Sequence, residues 1–348
     1  MSQPPIFAAD DVVVIGTSVG GVEALRTLVG GLPAQFAATV LIVMHVGHHD
    51  SILPSLLAGV TRLPARHARD GDVLEPGRIL IAPPDFHLLV VRDRSTPGRF
   101  GRVMLSRSAR ENHARPAVDP LFRSAAAAYG SRAIGVVLTG MLDDGTAGLQ
   151  AIKACGGKAI VQLPEEALAQ GMPESALRNV EVDRVLRLAD MGRALEQMVA
   201  ENLAAARGTP REVPEWVRVE NRFAQEDGGM EALSRIGAPS TFTCPECHGT
   251  LWELHGVAPK RFRCHTGHAF TERHLCEQQG EAVEESLWSA VRALAEKEKL
   301  LRQMAESALG MGYAQTAGEY LEQAAEAQRS GEVLRRLLMD SGKEPQSA

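Results

Sequence analysis

The sequence predicts an α/β fold: a doubly wound, mostly parallel sheet with helices on both faces, followed by a small Cys/His segment and a helical C-terminal region. Three observations carry this. Strand-sized runs such as Val12–Ile15 and Ala133–Leu138 are continuously apolar, as strands covered on both faces must be. Amphipathic helical stretches separate these runs from residue 11 to about residue 190. Beyond Arg207-Gly208-Thr209-Pro210, where glycine and proline stop a helix, the alternation is lost.

In chain order, Val12–Ile15 reads as the first strand, and a helix follows with Leu25, Leu28 and Val29 on one face. Val40–Met44, Ile79–Ala82 and Leu88–Val91 are further strands, and the last two are expected to pair locally. Ala117–Tyr129 is a helix, Ile134–Thr139 a strand and Gly145–Cys155 a helix. Lys158–Gln162 and Val182–Val185 complete the sheet, and a helix spans roughly Met191–Ala206. The expected divisions are a core at 10–190, a helix and linker at 191–236, a Cys/His segment at 237–276 and a helical hairpin at 277–340. In that hairpin Leu287, Val291, Leu294, Leu301, Ala305 and Ala308 recur at helical spacing, interrupted by Glu298. After Gly310-Met311-Gly312 a second series runs Tyr320, Ala324, Ala327, Gly331, Leu334, Leu338. The pair reads as an antiparallel hairpin, a helical cap on the core or a homodimer contact.

Composition narrows the function. Apolar residues are 45% of the 348, enough for a sizeable core, while aromatic residues are only 4%, too few for base-stacking platforms. The net charge is −6, and from Cys276 onward 13 Asp/Glu oppose 8 Lys/Arg, a net of −5, so nucleic acid is an unsuitable partner. No stretch has the pattern of a secretory signal or the length of a membrane span, which predicts a cytoplasmic protein. Four of the five cysteines cluster between Cys244 and Cys276, a metal-binding pattern in a reducing compartment; Cys155 reads as a buried apolar residue.

The strongest local signal is Val12-Val-Val-Ile-Gly16-Thr17-Ser18-Val19-Gly20-Gly21, where Gly16 and Gly20 frame Ser18 as in a tight strand-to-helix turn that exposes a nucleophile. A dinucleotide fingerprint would need glycine at position 18, and a Walker loop would need a lysine. A structural glycine turn with an incidental serine stays open on this pattern alone. His45 ends the second strand, on the carboxyl rim where reactive groups of parallel sheets collect. A metal site at His48, His49 and Asp50 has no distant ligand to complete it. Asp143 and Asp144 follow the strand ending at Thr139; one carboxylate there would accept the imidazole Nδ1–H, and the other would cap the next helix.

These blocks, with Ile81-Ala-Pro-Pro-Asp-Phe-His87, His113-Ala-Arg115-Pro116-Ala-Val-Asp119-Pro-Leu-Phe122 and Gly171-Met-Pro173, resemble the catalytic domain of CheB, the protein-glutamate methylesterase of bacterial chemotaxis, over about residues 10–190. The resemblance implies Ser18 as nucleophile, His45 as general base and then acid, and Asp144 as orienting carboxylate. It implies an oxyanion site at the Met141 N–H, with the Val19 N–H as second donor. It implies hydrolysis of glutamyl methyl esters on a chemoreceptor, release of methanol, glutamine deamidation at such sites and no catalytic cofactor. Three departures stand out: Asp143 replaces a common Asn, position 19 is valine, and the first strand begins at about residue 11 with no receiver domain expected ahead of it. Arg115 and Asp119 read as a structural ion pair, and His87 and His113 as loop residues near the site.

Cys244-Pro-Glu-Cys247 and, about 17 residues on, Cys264-His265-Thr-Gly-His268 fit tetrahedral structural zinc held by Cys244, Cys247, Cys264 and His268 or His265. Phe262–His268 resembles a segment that accompanies some CheB-like esterases. Two other functions compete with hydrolysis of receptor esters. One is a non-catalytic signalling adaptor acting through the Cys/His and helical parts, and the other an esterase or amidase for a protein outside chemotaxis.

Overall fold

The computed structural model of the chain describes residues 11–45, 51–92, 101–204 and 211–341. The expectations for His48, His49 and Asp50, and for the helix stop at Arg207–Pro210, lie outside these. Two compact units divide at Leu275/Cys276.

The first unit is built on β1 (Val12–Thr17), α1 (Gly21–Gly30), β2 (Thr39–Met44), α2 (Leu53–Ala58), β3 (Ala65–His67), β4 (Ile79–Ile81), β5 (His87–Val91), β6 (Arg102–Ser106), α3 (Val118–Tyr129), β7 (Ala133–Val137), α4 (Thr146–Ala154), β8 (Lys158–Gln162), α5 (Gly171–Asn179), β9 (Arg184–Leu186) and α6 (Leu188–Ala204). Seven strands form one parallel sheet in the order β3-β4-β2-β1-β7-β8-β9. The chain winds outward from β1 in both directions, as a doubly wound sheet does. Successive β1 residues serve opposite faces. Val12 and Val14 join Leu41, Val43, Phe122 and Leu149 on one side, and Val13 and Ile15 join Leu25, Leu28, Ile42 and Leu195 on the other. With both faces covered, the alternating apolar and polar pattern of an exposed sheet has no place.

One expected pairing is wrong. β4 lies between β2 and β3 in the main sheet, whereas β5 pairs antiparallel with β6 in a separate hairpin. The reason is α3, whose Val118, Leu121, Phe122 and Ala125 share a core with Leu88 and Val90 and hold that hairpin over one face of the sheet.

After the main sheet come α7 (Glu215–Ala224), α8 (Met230–Leu233) and four antiparallel strands, β10 (Gly237–Thr243), β11 (Thr250–Leu254), β12 (Arg261–Cys264) and β13 (Ala269–Thr271). This Cys/His module belongs to the same compact unit as the sheet. A buried ionic cluster joins them. Arg263 of β12 pairs with Glu111 at 3.0 Å and with Glu220 of α7 at 2.9 Å; Arg123 of α3 reaches Glu111 at 2.7 Å, and Arg261 reaches Glu220 at 2.8 Å. All five side chains are at most 5% exposed. Burial alone would push both carboxyls up, but the facing guanidinium groups hold Glu111 and Glu220 below the ordinary range.

The second unit, from Cys276, holds most of α9 (Glu272–Gly310) and all of α10 (Ala314–Ser341). Ala305 and Ala308 pack with Ala317 and Tyr320 across the turn at Met311–Gly312, and Arg302 donates to Gln328 Oε1 further along. These contacts are those of an antiparallel hairpin.

Candidate active site

Ser18, His45 and the 139–145 turn follow β1, β2 and β7, three neighbours in the sheet, on the same carboxyl rim. Ser18 N–H donates to Thr139 O at 3.0 Å, and His45 N–H donates to Thr17 O at 3.2 Å. The backbone alone therefore ties the three segments together. Two glycines make the turn fit. A Cβ on Gly16 would lie 2.2 Å from Val118 Cγ1, so its absence lets the start of α3 close over β1; Gly20, at φ 78°, has the left-handed backbone that opens α1.

His45 meets Asp144 across β1, with Nε2 and Oδ2 2.7 Å apart. The expected contact was through Nδ1. The ring instead presents Nε2 to the carboxylate. Among the described residues Ser18 Oγ has no hydrogen-bond partner; the geometry joins His45 to Asp144, and Ser18 shares their rim through its backbone bond to Thr139 O.

Asp144 is completely buried and richly solvated by protein donors. Its oxygens accept from the N–H groups of Val118 (2.7 Å), Asp119 (3.2 Å) and Gly145 (2.9 Å), and from Asn112 Nδ2 (3.0 Å). Two of these donors open α3, where free N–H groups and the positive helix end favour an anion. Burial pushes this carboxyl up, but the His45 bond, the His45 charge and the backbone donors outweigh it and hold Asp144 well below the ordinary range. Asp119, fully buried beside it, goes the other way, pushed well up by burial and by the Asp144 charge.

Asp143 turns elsewhere. Its Oδ1 accepts from Thr271 Oγ1 at 2.7 Å and lies 2.8 Å from His274 Nδ1. The two adjacent aspartates, ambiguous in sequence, are separated by the partners that fold against each.

Val19 and Met141 flank Ser18. Gly140 stands against it, since a Cβ there would be 3.0 Å from Ser18 Cβ. Among the described residues neither Val19 N–H nor Met141 N–H donates to a protein acceptor, which leaves both free for a ligand oxygen. The start of α5 supports this loop: Met172 N–H donates to Gly140 O at 2.9 Å, and a Cβ on Gly171 would sit 2.6 Å from Leu142 N. The side chains of Val19, Met141 and Leu168 are 45%, 60% and 77% exposed, an apolar rim open to solvent.

Two peripheral expectations change, those for Arg115 and His87, while His113 stays in a loop and gains a partner. Arg115 pairs with Asp85 (Nη2 to Oδ1, 2.6 Å) and not with Asp119, which instead accepts from Gly148 N–H and Asn112 Nδ2. His113 reaches Glu246 of the Cys/His module at 2.7 Å. His87 opens β5 and is fully buried; its Nε2–H donates to Ala109 O at 3.1 Å and its Nδ1 accepts from Ala117 N–H at 3.3 Å. Only the neutral ring makes both bonds, and burial pushes its pKa down to about 4, against an opposing pull from Glu111.

This has a measurable consequence. Between the ordinary value of 6.5 and about 4, the unfolded chain binds a proton at His87 that the folded protein does not. Stability therefore falls as pH drops through that window, by on the order of 3 kcal/mol at its acid end. Denaturant melts from pH 7.5 to 4.5 are expected to show this decline. A His87→Gln variant, which does not titrate, is expected to lose less over the same range.

Asn112 and Thr271 were missed in sequence. Asn112 N–H donates to Ala269 O (2.7 Å) and its Oδ1 accepts from Thr271 N–H (3.2 Å), while its Nδ2 serves Asp144. Asn112 lies just before the His113–Phe122 block, but a contact spanning 159 residues to Thr271 leaves no local pattern.

In the module, the ligand atoms of Cys244, Cys247, Cys264 and His268 lie within 4.8 Å of one another. Cys247 Sγ is 3.7 Å from Cys264 Sγ, and Cys264 Sγ is 3.6 Å from His268 Nδ1. A zinc–sulfur bond of about 2.3 Å in tetrahedral geometry puts neighbouring ligands about 3.8 Å apart, so the set fits. His265 is exposed and outside the group, which favours His268 between the two histidines; Cys276 is exposed as well.

Residues 13–195 match the sequence model of the CheB methylesterase family. A Leptospira interrogans protein is 34% identical over 194 residues, which make up 97% of it and 56% of this chain. A protein-glutamate methylesterase/protein-glutamine glutaminase of Anaeromyxobacter dehalogenans is 40% identical over 198 residues, covering 57% of this chain and 56% of that relative. Among solved structures, the Thermotoga maritima CheB methylesterase catalytic domain is similar with a TM-score of 0.52 and 35% identity, over 54% of this chain and 98% of that one.

Proposed function

The chain belongs to the CheB methylesterase family, and from that premise we propose that it hydrolyses glutamyl γ-methyl esters on chemoreceptor-like proteins and deamidates glutamine at such sites. The observation that carries the mechanism is the 2.7 Å bond between His45 and the buried anion Asp144, with Ser18 on the same rim. Asp144 accepts Nε2–H and thereby keeps Nδ1 unprotonated and basic. Nδ1 takes the proton as Ser18 Oγ attacks the ester carbonyl, and the oxyanion that forms is met by the Val19 and Met141 N–H groups. Collapse of this adduct breaks the carbonyl–methoxy bond. His45 returns the proton to the leaving oxygen, giving methanol and a glutamyl ester on Ser18. Water, deprotonated by His45, attacks that ester and frees glutamate. A glutamine side chain follows the same course with ammonia leaving. Methanol release from a methylated receptor, measured for the full chain and for Ser18→Ala, tests this reading.

The proposed division of labour gives residues 10–190 the chemistry, 191–236 the connection, 237–276 a structural zinc module and 277–340 a helical hairpin for self-association. Three cysteines and a histidine would satisfy all four zinc positions, so the metal would stabilise the fold and leave no site for substrate. Exposed Leu300, Met304 and Leu309 on the hairpin support a dimer contact. Native mass spectrometry is expected to record a dimer with one zinc per chain. Removal of that zinc with a chelator is expected to lower the melting temperature, and a metal-free protein of unchanged stability would refute the zinc site. No helix among the described residues is long and apolar enough to cross a membrane, in keeping with action in the cytoplasm.

A further inference from the structure

We infer that the Cys/His module is a working part of the esterase, and that Thr271 on its last strand is a positioning residue for the catalytic aspartate. This rests on the triad reading above and extends it to residues outside the 13–195 family match.

Two routes lead from β13 to the 143–144 turn. Directly, Thr271 Oγ–H donates to Asp143 Oδ1 at 2.7 Å, and His274 N–H donates back to Thr271 Oγ1 at 3.3 Å, fixing the hydroxyl's direction. Indirectly, β13 grips Asn112 at two points, Ala269 O and Thr271 N–H, and Asn112 uses its amide N–H on Asp144 Oδ1. Thr271, Asn112, Asp143 and Asp144 are all buried, so water cannot replace these bonds when one is lost. Asp143 Oδ2 has no partner of its own, so that carboxylate is held from one oxygen only, by Thr271 Oγ1 and by His274 Nδ1 at the start of α9.

The module is itself anchored where these contacts need it. Glu246, between the first two cysteines, reaches His113, next to Asn112. Arg263, next to Cys264, is clamped by Glu111 on the other side of Asn112. Both ends of the loop segment that carries Asn112 are thus tied to the module. A displacement of β13 would be felt at Asp144, and through it at the orientation and tautomer of His45. Substrate binding on the proposed reading, at the open rim of Val19, Met141 and Leu168, would be left alone.

The experiment compares the full-length wild type with Thr271→Val, Thr271→Ser, Asn112→Gly and Ser18→Ala. Steady-state methanol release from a methylated receptor fragment is measured alongside the rate of Ser18 labelling by a fluorophosphonate, with circular dichroism reporting folding. Valine keeps the threonine shape without its hydroxyl. Glycine accepts the left-handed backbone of Asn112, φ 51°, without its amide. Thr271→Val and Asn112→Gly are each expected to lower kcat and the labelling rate about 10- to 100-fold with KM within about 2-fold. Thr271→Ser, which restores the donor, is expected to recover kcat to within about 3-fold of wild type. If either variant folds and turns over like the wild type, the proposal is overturned while the triad stands. A fall confined to KM, or a serine variant as slow as the valine one, also overturns it. Should Thr271→Val fail to fold, Asn112→Gly decides. Hydrolysis by Ser18→Ala at the wild-type rate would instead overturn the triad reading, and this proposal with it.

Discussion

Replacing Ser18 with alanine is expected to lower the rate of methyl ester hydrolysis by about 10⁴- to 10⁶-fold while leaving the fold intact. The size follows from what is lost: the atom that forms the covalent ester, without which His45 has only water to activate. The adjacent Thr17 hydroxyl cannot take over. Thr17 is buried, and its Oγ–H donates to Thr139 O at 2.8 Å inside the strand. The fold is spared because Ser18 Oγ has no hydrogen-bond partner among the described residues, so its removal orphans nothing. Methanol release and fluorophosphonate labelling check the activity, and thermal unfolding checks the fold. Turnover within tenfold of wild type would show that Ser18 is not the nucleophile.

Arg263→Met is expected to cost about 3–5 kcal/mol of stability, the largest effect on folding predicted for a single side chain here. Arg263 is completely buried between two carboxylates, Glu111 and Glu220, and also donates to Gly267 O at 2.8 Å. Among the described residues its guanidinium is the only one that touches both acids, so methionine leaves each with one cationic partner there and less compensation for its burial. Methionine roughly fills the volume, and the penalty is therefore electrostatic. A change to lysine would retain the charge but lose the planar fork, and is expected to recover only part of it. Denaturant unfolding measures both variants. A loss below about 1 kcal/mol for Arg263→Met would mean the cluster is relaxed by solvent.

The parts of the fold that could be read from sequence are those governed by continuous apolar runs. β1, β2, β7 and β8 are almost wholly buried and appear as mainly apolar runs rich in β-branched residues. β3, Ala65–His67, is an edge strand of three partly exposed residues with two basic side chains, and nothing in its composition marks it. β6 fares no better, because its pairing with β5 is decided by the packing of α3. α7 carries buried Glu220 and Asn221, which make its segment look polar although the charge is neutralised across space by Arg261 and Arg263.

The site divides along the same line. Ser18, His45 and the aspartate pair at 143–144 stand out in sequence because each follows a clear strand, and chain geometry delivers strand ends to one rim. The choice between Asp143 and Asp144 does not, since both sit in one turn and only distant residues, Thr271 and His274 against His45 and Asn112, tell them apart. The contact of Nε2, and not Nδ1, with the carboxylate has no sequence signal at all.

The exposed apolar rim of Val19, Met141 and Leu168 around Ser18 decides where selectivity resides. A serine at the floor of a deep slot would discriminate by the shape of the ester itself. Here the reacting group meets a shallow, greasy threshold, and a small free ester finds little there to hold it. Discrimination would then fall to the chain flanking the modified glutamate, in so far as its own apolar side chains cover that threshold. The enzyme would recognise an address on a protein surface, and the methyl group only as what happens to be delivered there.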